Sequence, residues 1–148
     1  MQNGIDTRTA PLAALVLRLA LGVMLLAHSI YLKGMVFTLP GTAKFFVSLG
    51  LPAFSAYLVF AIEAAAGIAL ILGVQTRLAA LTVIPVLLGA TWVHIGNGWL
   101  FTNQGGGWEY PVFLTVTALV QALIGGGALA LSRDMEIPVL GRVLAAAR

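Results

Sequence analysis

Residues 53–74 read AFSAYLVFAIEAAAGIALILGV, a stretch in which Glu63 is the sole charge. A hydrocarbon core of about 30 Å asks for about 20 apolar residues in a helix. The stretch therefore predicts a membrane span with one carboxyl group near its middle. Gln75, Thr76 and Arg77 follow, and a second apolar run, 78–97, begins at once, interrupted by Pro85 and His94. So short a connection makes the two runs an antiparallel hairpin. Two more runs flank it: 11–32, with Arg18 and His28, and 110–131, whose interior is uncharged. Pro11 and Pro52 stand at helix entrances, where a missing N–H costs nothing, and Pro85 predicts a kink in the third span.

Composition agrees with four spans. The chain has 148 residues, 60% apolar and 9% charged, against roughly 45–50% and about 25% in soluble domains. Eight Lys/Arg and five Asp/Glu cannot cover a soluble globule of this size, and a mean hydropathy of +1.02 excludes disorder. Without cysteine there is no disulfide, thiolate metal site or thiol redox chemistry, and no metal site is expected. A net charge of +3 is too dispersed for a nucleic-acid partner, so the lipid bilayer is the expected surrounding. The first span is too long for a signal peptide, carries an arginine, and is expected to stay in the protein.

Lys/Arg placement sets the orientation. Arg8, Arg77, Arg133, Arg142 and Arg148 fall on one side, Lys33 and Lys44 on the other. Both termini are expected to be cytoplasmic, with a tail at 1–10, a transmembrane domain at 11–131 and a second tail at 132–148. The outer loops hold Tyr31, Trp92, Trp99, Trp108 and Tyr110, an aromatic belt. In the first outer loop Pro40-Gly41 marks a turn, and Thr42 can cap a short helix ending at Gly50. Phe45, Phe46 and Leu49 share a face of it, which predicts an interfacial helix. Gly105, Gly106 and Gly107 in the second loop read as a flexible turn, since a phosphate cradle would be followed by Lys and Ser/Thr. The expected fold is an all-α membrane protein: a four-transmembrane-helix bundle with that interfacial helix in its first outer loop.

Small residues recur every four positions on span two (Ala61, Ala65, Ala69, Gly73) and span four (Ala118, Ala122, Gly126, Ala130). Such ladders let helix backbones approach in lipid. Glu63 lies nearly opposite its ladder. Either the ladder meets a neighbouring span while Glu63 looks inward, which is the expectation here, or the ladder meets another protomer.

An ionisable side chain deep in a bilayer costs on the order of 3 kcal/mol and asks for a partner or a purpose. Arg18, His28, Glu63, His94 and Glu109 are the ones to explain, while Lys33 can snorkel at an interface. At 1.5 Å per residue, His28 and His94 lie about 6 and 5 Å inside the outer face, Glu63 about 15 Å and Arg18 about 20 Å. Arg18 is thus expected to reach Glu63, as a register-fixing ion pair or as part of a site. Polar groups from four spans are expected to converge on one outward-opening pocket. His28 and His94 also read as interface hydrogen-bonding groups, Glu109 as a helix N-terminal charge, and Gln121 as a bond between helices.

The order of these residues resembles one family. Arg18-Leu-Ala-Leu-Gly22 with Ala27-His28 and Lys33, Gly41-Thr-Ala-Lys-Phe-Phe46 with Leu49-Gly50-Leu51-Pro52, and Glu63 with Gly67, Leu72-Gly73 and Thr76-Arg77-Leu-Ala-Ala80 are similar to DoxX-like membrane proteins. His94-Ile-Gly-Asn97-Gly98 and Glu109-Tyr110-Pro111 complete the match, which covers roughly 12–131. Ser29 stands where many relatives carry glycine. The resemblance implies a four-span protein of the bacterial cytoplasmic (inner) membrane. It also implies a loose tie to redox chemistry, since relatives serve a thiosulfate:quinone oxidoreductase, and others are labelled quinol oxidoreductases or linked to oxidative-stress assemblies.

The leading expectation is a quinone/quinol-linked oxidoreductase subunit. The candidate catalytic residues are Arg18, His28, Glu63 and His94; the candidate quinone-binding residues are His28, Lys33, Trp92, His94 and Glu109. A quinone head needs hydrogen-bond partners, a proton route and an apolar slot for its tail. With no cysteine or dinucleotide fingerprint the chain needs a partner redox subunit or a second diffusible substrate. Haem between His28 and His94 is not expected, since two isolated histidines are weak evidence and the resemblance does not suggest it. The alternatives are a non-catalytic scaffold that assembles partner redox or stress proteins, and a small-molecule transporter working as a homo-oligomer.

Overall fold

The computed structural model describes residues 4, 6–132 and 134. Their regular structure is all helical, with no strand among them. Helix α1 (Ala10–Leu26) continues directly into a π-helical segment (Ala27–Val36), followed by α2 (Leu39–Ser48), α3 (Ala53–Leu72), α4 (Thr76–His94), a 3-10 turn (Ile95–Asn97) and α5 (Glu109–Ile124). Three continuous helical stretches, Ala10–Val36, Ala53–Leu72 and Thr76–Asn97, are long and apolar enough to cross a membrane. Helix α5 is apolar but has 16 residues. The expected tail at 132–148 lies, apart from Ser132 and Asp134, outside the described residues.

α1 packs on α3, α3 on α4, α4 on α5, and α5 returns to α1, which closes a four-membered ring. Its core is Leu21 and Leu25 of α1, Ala66 and Leu70 of α3, Val83 and Leu87 of α4, and Leu114 and Ala118 of α5, with small alanines between them. The close approach of α1 and α3 is made by glycines: a β-carbon on Gly67 would sit 2.9 Å from Leu26 and 3.0 Å from the Gly22 carbonyl oxygen. The expected ladder on span two is not that contact. Ala61 and Ala65 are exposed, while Ala56, Glu63, Ala66, Gly67 and Leu70 face the interior. Glu63 does look inward, and of the row Ala69 packs on the core and Gly73 lies against Ala130 and Arg18.

Where helices end, the sequence says why. α3 stops at Gly73, whose left-handed φ of 67° lets Val74 N–H turn back to the Ala69 carbonyl. α4 runs on through Pro85. The fourth apolar run was expected to continue to 131, but α5 ends at Ile124 because Gly125 takes φ 81° and the chain folds back. Ala118 and Ala122 keep their buried place on α5, and Gly126 and Ala130 leave the helix. In the first loop Thr38, not Thr42, caps α2 by accepting from Gly41 N–H, so Pro40-Gly41 lies in the helix's first turn. Thr42 instead donates to the Thr38 carbonyl, and α2 buries Thr42 and Ala43 while Phe45 stays exposed.

Candidate functional site

The polar side chains separate into three groups along the bundle. The first sits at the end that carries the α3–α4 turn. Arg18, 1% exposed, donates from Nε to Gly126 O (2.9 Å), from Nη1 to Leu70 O (2.9 Å) and Ile71 O (2.6 Å), and from Nη2 to Ala128 O (3.0 Å). The last carbonyls of a helix have no partner within it. Here each of the last four of α3 has one: Ala69 O takes Val74 N–H, Leu70 O takes Gly73 N–H and Arg18, Ile71 O takes Arg18, and Leu72 O takes Leu131 N–H. The guanidinium also puts positive charge against the negative end of that helix. Beside it, Asp134 accepts from Arg77 N–H and Gly126 N–H and lies 3.7 Å from Arg77 Nε, which ties the returning segment down.

This corrects the expected pairing of Arg18 with Glu63. Gly22 lies against Gly67 and Ile71, and Gly34 against Phe60. That antiparallel register sets Glu63 level with residues near 28, about 15 Å along the axis from Arg18. The depth count placed Arg18 too near the outer face because it closed the first span at 32, whereas the helix runs to Val36.

The second group occupies the other half of the bundle. Glu63, buried, accepts a 2.7 Å bond from Lys33 Nζ at its Oε2. Oε1 accepts none among the described residues. Lys33 Nζ also approaches the carbonyl of His28 at 3.4 Å. The π winding makes this possible: its hydrogen bonds run from i to i+5, so Lys33 stacks one turn above His28 instead of lying off to its side. Phe37 N–H on Leu32 O, at 2.8 Å, is one of those bonds. The winding loosens where side chains compete for backbone acceptors: His28 Nδ1 bonds Met24 O at 2.9 Å and Ser29 Oγ bonds Leu25 O at 2.8 Å. A carbonyl only accepts, so Nδ1 carries the proton and Nε2 of a neutral ring is left as an acceptor. The imidazole stacks on Tyr110 at a ring separation of 5.9 Å and an angle of 26°.

Tyr110 also walls a groove of about 450 Å³ on the flank of α5. The groove's head is formed by Trp99, Phe101, Glu109 and Tyr110, and its tail by Val112, Phe113 and Val116. Phe113 and Val116 are exposed, so the groove opens sideways and not into the bundle. Glu109 Oε1 accepts Phe101 N–H at 2.9 Å, and Trp99 meets Trp108 edge-on at 4.5 Å, which fix the loop over the groove's head.

The third group is the loop clamp. His94 Nδ1 bonds the carbonyls of Gly105 (3.0 Å) and Gly106 (3.1 Å), and Asn97 Nδ2 donates to the same two oxygens. Gly105 to Gly107 are thus a held turn, contrary to the flexible one expected. Trp92 is 58% exposed and lines neither described cavity.

Of the residues singled out by sequence, the structure brings together Lys33, Glu63 and His28, with Glu109 at the neighbouring groove. Arg18 and His94 are occupied elsewhere. Sequence reading named Lys33 as a candidate quinone-binding residue able to snorkel, without its pairing to Glu63, and took Tyr110 for a belt aromatic. Their signals, a lysine five positions after His28 and a tyrosine beside Glu109, acquire meaning only from the π winding and the α1–α5 contact.

A family model described as DoxX matches residues 13–96. The chain is 33% identical over 121 residues, 81% of its length and 84% of the relative's, to the Bacillus subtilis (strain 168) protein named "Putative oxidoreductase CatD". No solved structure matches it.

Proposed function

The chain belongs to the DoxX family, and on that premise we propose that it is a four-span protein of the bacterial inner membrane serving a quinone-linked oxidoreductase. Both termini are cytoplasmic in this reading, α2 lies in the outer interface, and α5, shorter than the others, is the fourth span. The oxidoreductase in the name of the Bacillus subtilis relative agrees with it.

One observation carries the proposal: Tyr110 both stacks on His28 and walls the lipid-facing groove. A buried ion pair, Lys33–Glu63, stands next to that histidine. The groove's volume lies within the roughly 300–1,000 Å³ usual for small-molecule sites, with aromatic walls and few polar groups. The residues present therefore fit a quinone ring with its tail toward lipid. A bound quinone supplies two-electron, two-proton chemistry, with the electrons delivered by a partner redox subunit.

The chain's own groups bind, orient and handle protons. His28, held by Met24 O, keeps its proton on Nδ1 and leaves Nε2 of a neutral ring as an acceptor, a place for a proton released by the reduced head group and not a donor to a quinone carbonyl. Lys33 offsets the cost of burying Glu63, and the unbonded Oε1 of Glu63 is an acceptor in reach of a proton arriving through the half-exposed π segment. Arg18, His94 and Trp92 take no part; the first two hold the scaffold.

The test is organic extraction of the detergent-purified protein followed by mass spectrometry. Stoichiometric quinone is expected in the wild type and is lost in Glu63→Gln and His28→Ala. Quinone retained in both variants removes these residues from the site. A wild type without quinone contradicts the proposal and favours a scaffold.

A further inference from the structure

We infer that the Lys33–Glu63 pair exchanges protons with one face of the membrane only, the face where α2 lies, so that the chain by itself is no path for protons across the bilayer; this rests on the quinone-linked reading above for the chemistry those protons serve. Buried polar side chains gather at the two ends of the bundle. At the α2 end stand Ser29, Thr42 and Glu63, with Lys33 on Glu63. At the other end stand Arg18, Thr76 and Gln121. These three look onto the same two residues. Arg18 Nε donates to Gly126 O, Gln121 Nε2 donates to Gly125 O at 2.7 Å, and a β-carbon on Gly126 would sit 3.2 Å from Thr76 Oγ1.

Between the two ends the interior is hydrocarbon. Leu21, Leu25, Leu70 and Val83 are at most 2% exposed, and Leu114 and Ala118 close the layer from α5. From Arg18 to the level of Glu63 is about 15 Å along the axis. A proton crosses such a distance along hydrogen-bonding side chains or ordered water, and water stays only where it finds polar partners. Among the described residues the layer offers none. Thr82, Thr91, Thr115 and Thr117 turn their hydroxyls back onto carbonyls of their own helices. The opening lies on the other side of Glu63. The Lys33 side chain keeps 18% of its surface exposed against 7% for Glu63, and Lys33 O lies 3.4 Å from Thr42 Oγ1 on α2. Water therefore meets the pair past Lys33, beside α2.

The chain has no cysteine, so single introduced thiols report access. The experiment places full-length Lys33→Cys in sealed vesicles and treats each face in turn with a membrane-impermeant cationic methanethiosulfonate. Ser29→Cys leaves the ion pair in place and serves the same test should Lys33→Cys fold poorly. Lys44→Cys and Arg8→Cys, both at exposed positions, mark the α2 face and the opposite one. Both buried-site thiols are expected to react roughly a hundred-fold faster from the Lys44 face, the rate ratio that driving one charge through an apolar layer imposes. Comparable rates from the two faces, faster reaction from the Arg8 face, or no reaction from either face overturns the inference. One-sided labelling of a protein that holds no quinone in the extraction test overturns the quinone-linked reading and leaves the one-sided access standing.

Discussion

Replacing Arg18 by leucine removes four hydrogen bonds at once. Leu70 O keeps its bond from Gly73 N–H, but Ile71 O, Gly126 O and Ala128 O lose the donor described for them. An unsatisfied buried carbonyl costs about 1–3 kcal/mol. The three are neighbours, so their costs do not simply add, and removing a buried guanidinium relieves its desolvation. A net loss of roughly 3–5 kcal/mol follows, comparable to breaking a buried charged contact. At about 2–4 °C per kcal/mol for a chain of this size, thermal unfolding in detergent should shift down by roughly 10 °C. Arg18→Lys keeps the charge at the end of α3 but not the fork that spans α3 and the returning segment, so about half of the loss is expected. Amide exchange should quicken first at 125–132. A leucine variant within about 3 °C of wild type, with unchanged exchange there, would refute the reasoning and return Arg18 to the list of groups free for chemistry.

Lys33→Met should cost roughly 3 kcal/mol by leaving Glu63 buried without its cation, while Lys33→Met combined with Glu63→Gln should recover most of it. Denaturant titration of the four members of the cycle measures this, and additive losses would disprove the coupling. Gly67→Ala places a β-carbon against the Gly22 carbonyl and Leu26 and should cost about 1–3 kcal/mol; an unchanged Tm would show that α1 and α3 are not in contact there. His94→Ala should release the loop clamp, with amides at 99–108 exchanging roughly five-fold faster for each kcal/mol lost and those of α3 unaffected. If exchange in the loop does not change, His94 is not its anchor.

The parts of this architecture that local chemistry determines could be read from sequence. An apolar run beginning after Pro52 and closing at a glycine gave α3 within two residues, and Glu63 faces inward as its cost in lipid demands. The unread parts depend on distant contacts. Nothing local says that Arg18 will spend its donors on carbonyls 52 and 110 residues away. The count along the first span assumed 1.5 Å per residue in a helix ending at 32, and the extension through a π segment to Val36 shifted every partner. The row of alanines on α3 was read as a packing face from spacing alone. In the structure Glu63 turns inward, Ala61 and Ala65 of the row are exposed, and Ala69 and Gly73 are packed inside. Likewise Gly125 ends α5 in a run that hydropathy alone would carry to 131.

Lys33 and Tyr110 show what the candidate site adds. Each has an ordinary explanation at a membrane interface, and only the register of α1 against α3 and α5 converts them into a buried partner for Glu63 and a wall shared by histidine and groove.

The central claim is that the lipid-facing groove beside His28 and Tyr110 is where a quinone head group sits. Photolabelling the membrane-embedded protein with an azido-quinone, followed by peptide mapping, tests it most directly. The account predicts that the label falls on 99–116 and is displaced by excess unlabelled quinone. Label confined to the exposed face of α3 or to the α3–α4 turn, or label that no competitor displaces, would contradict it.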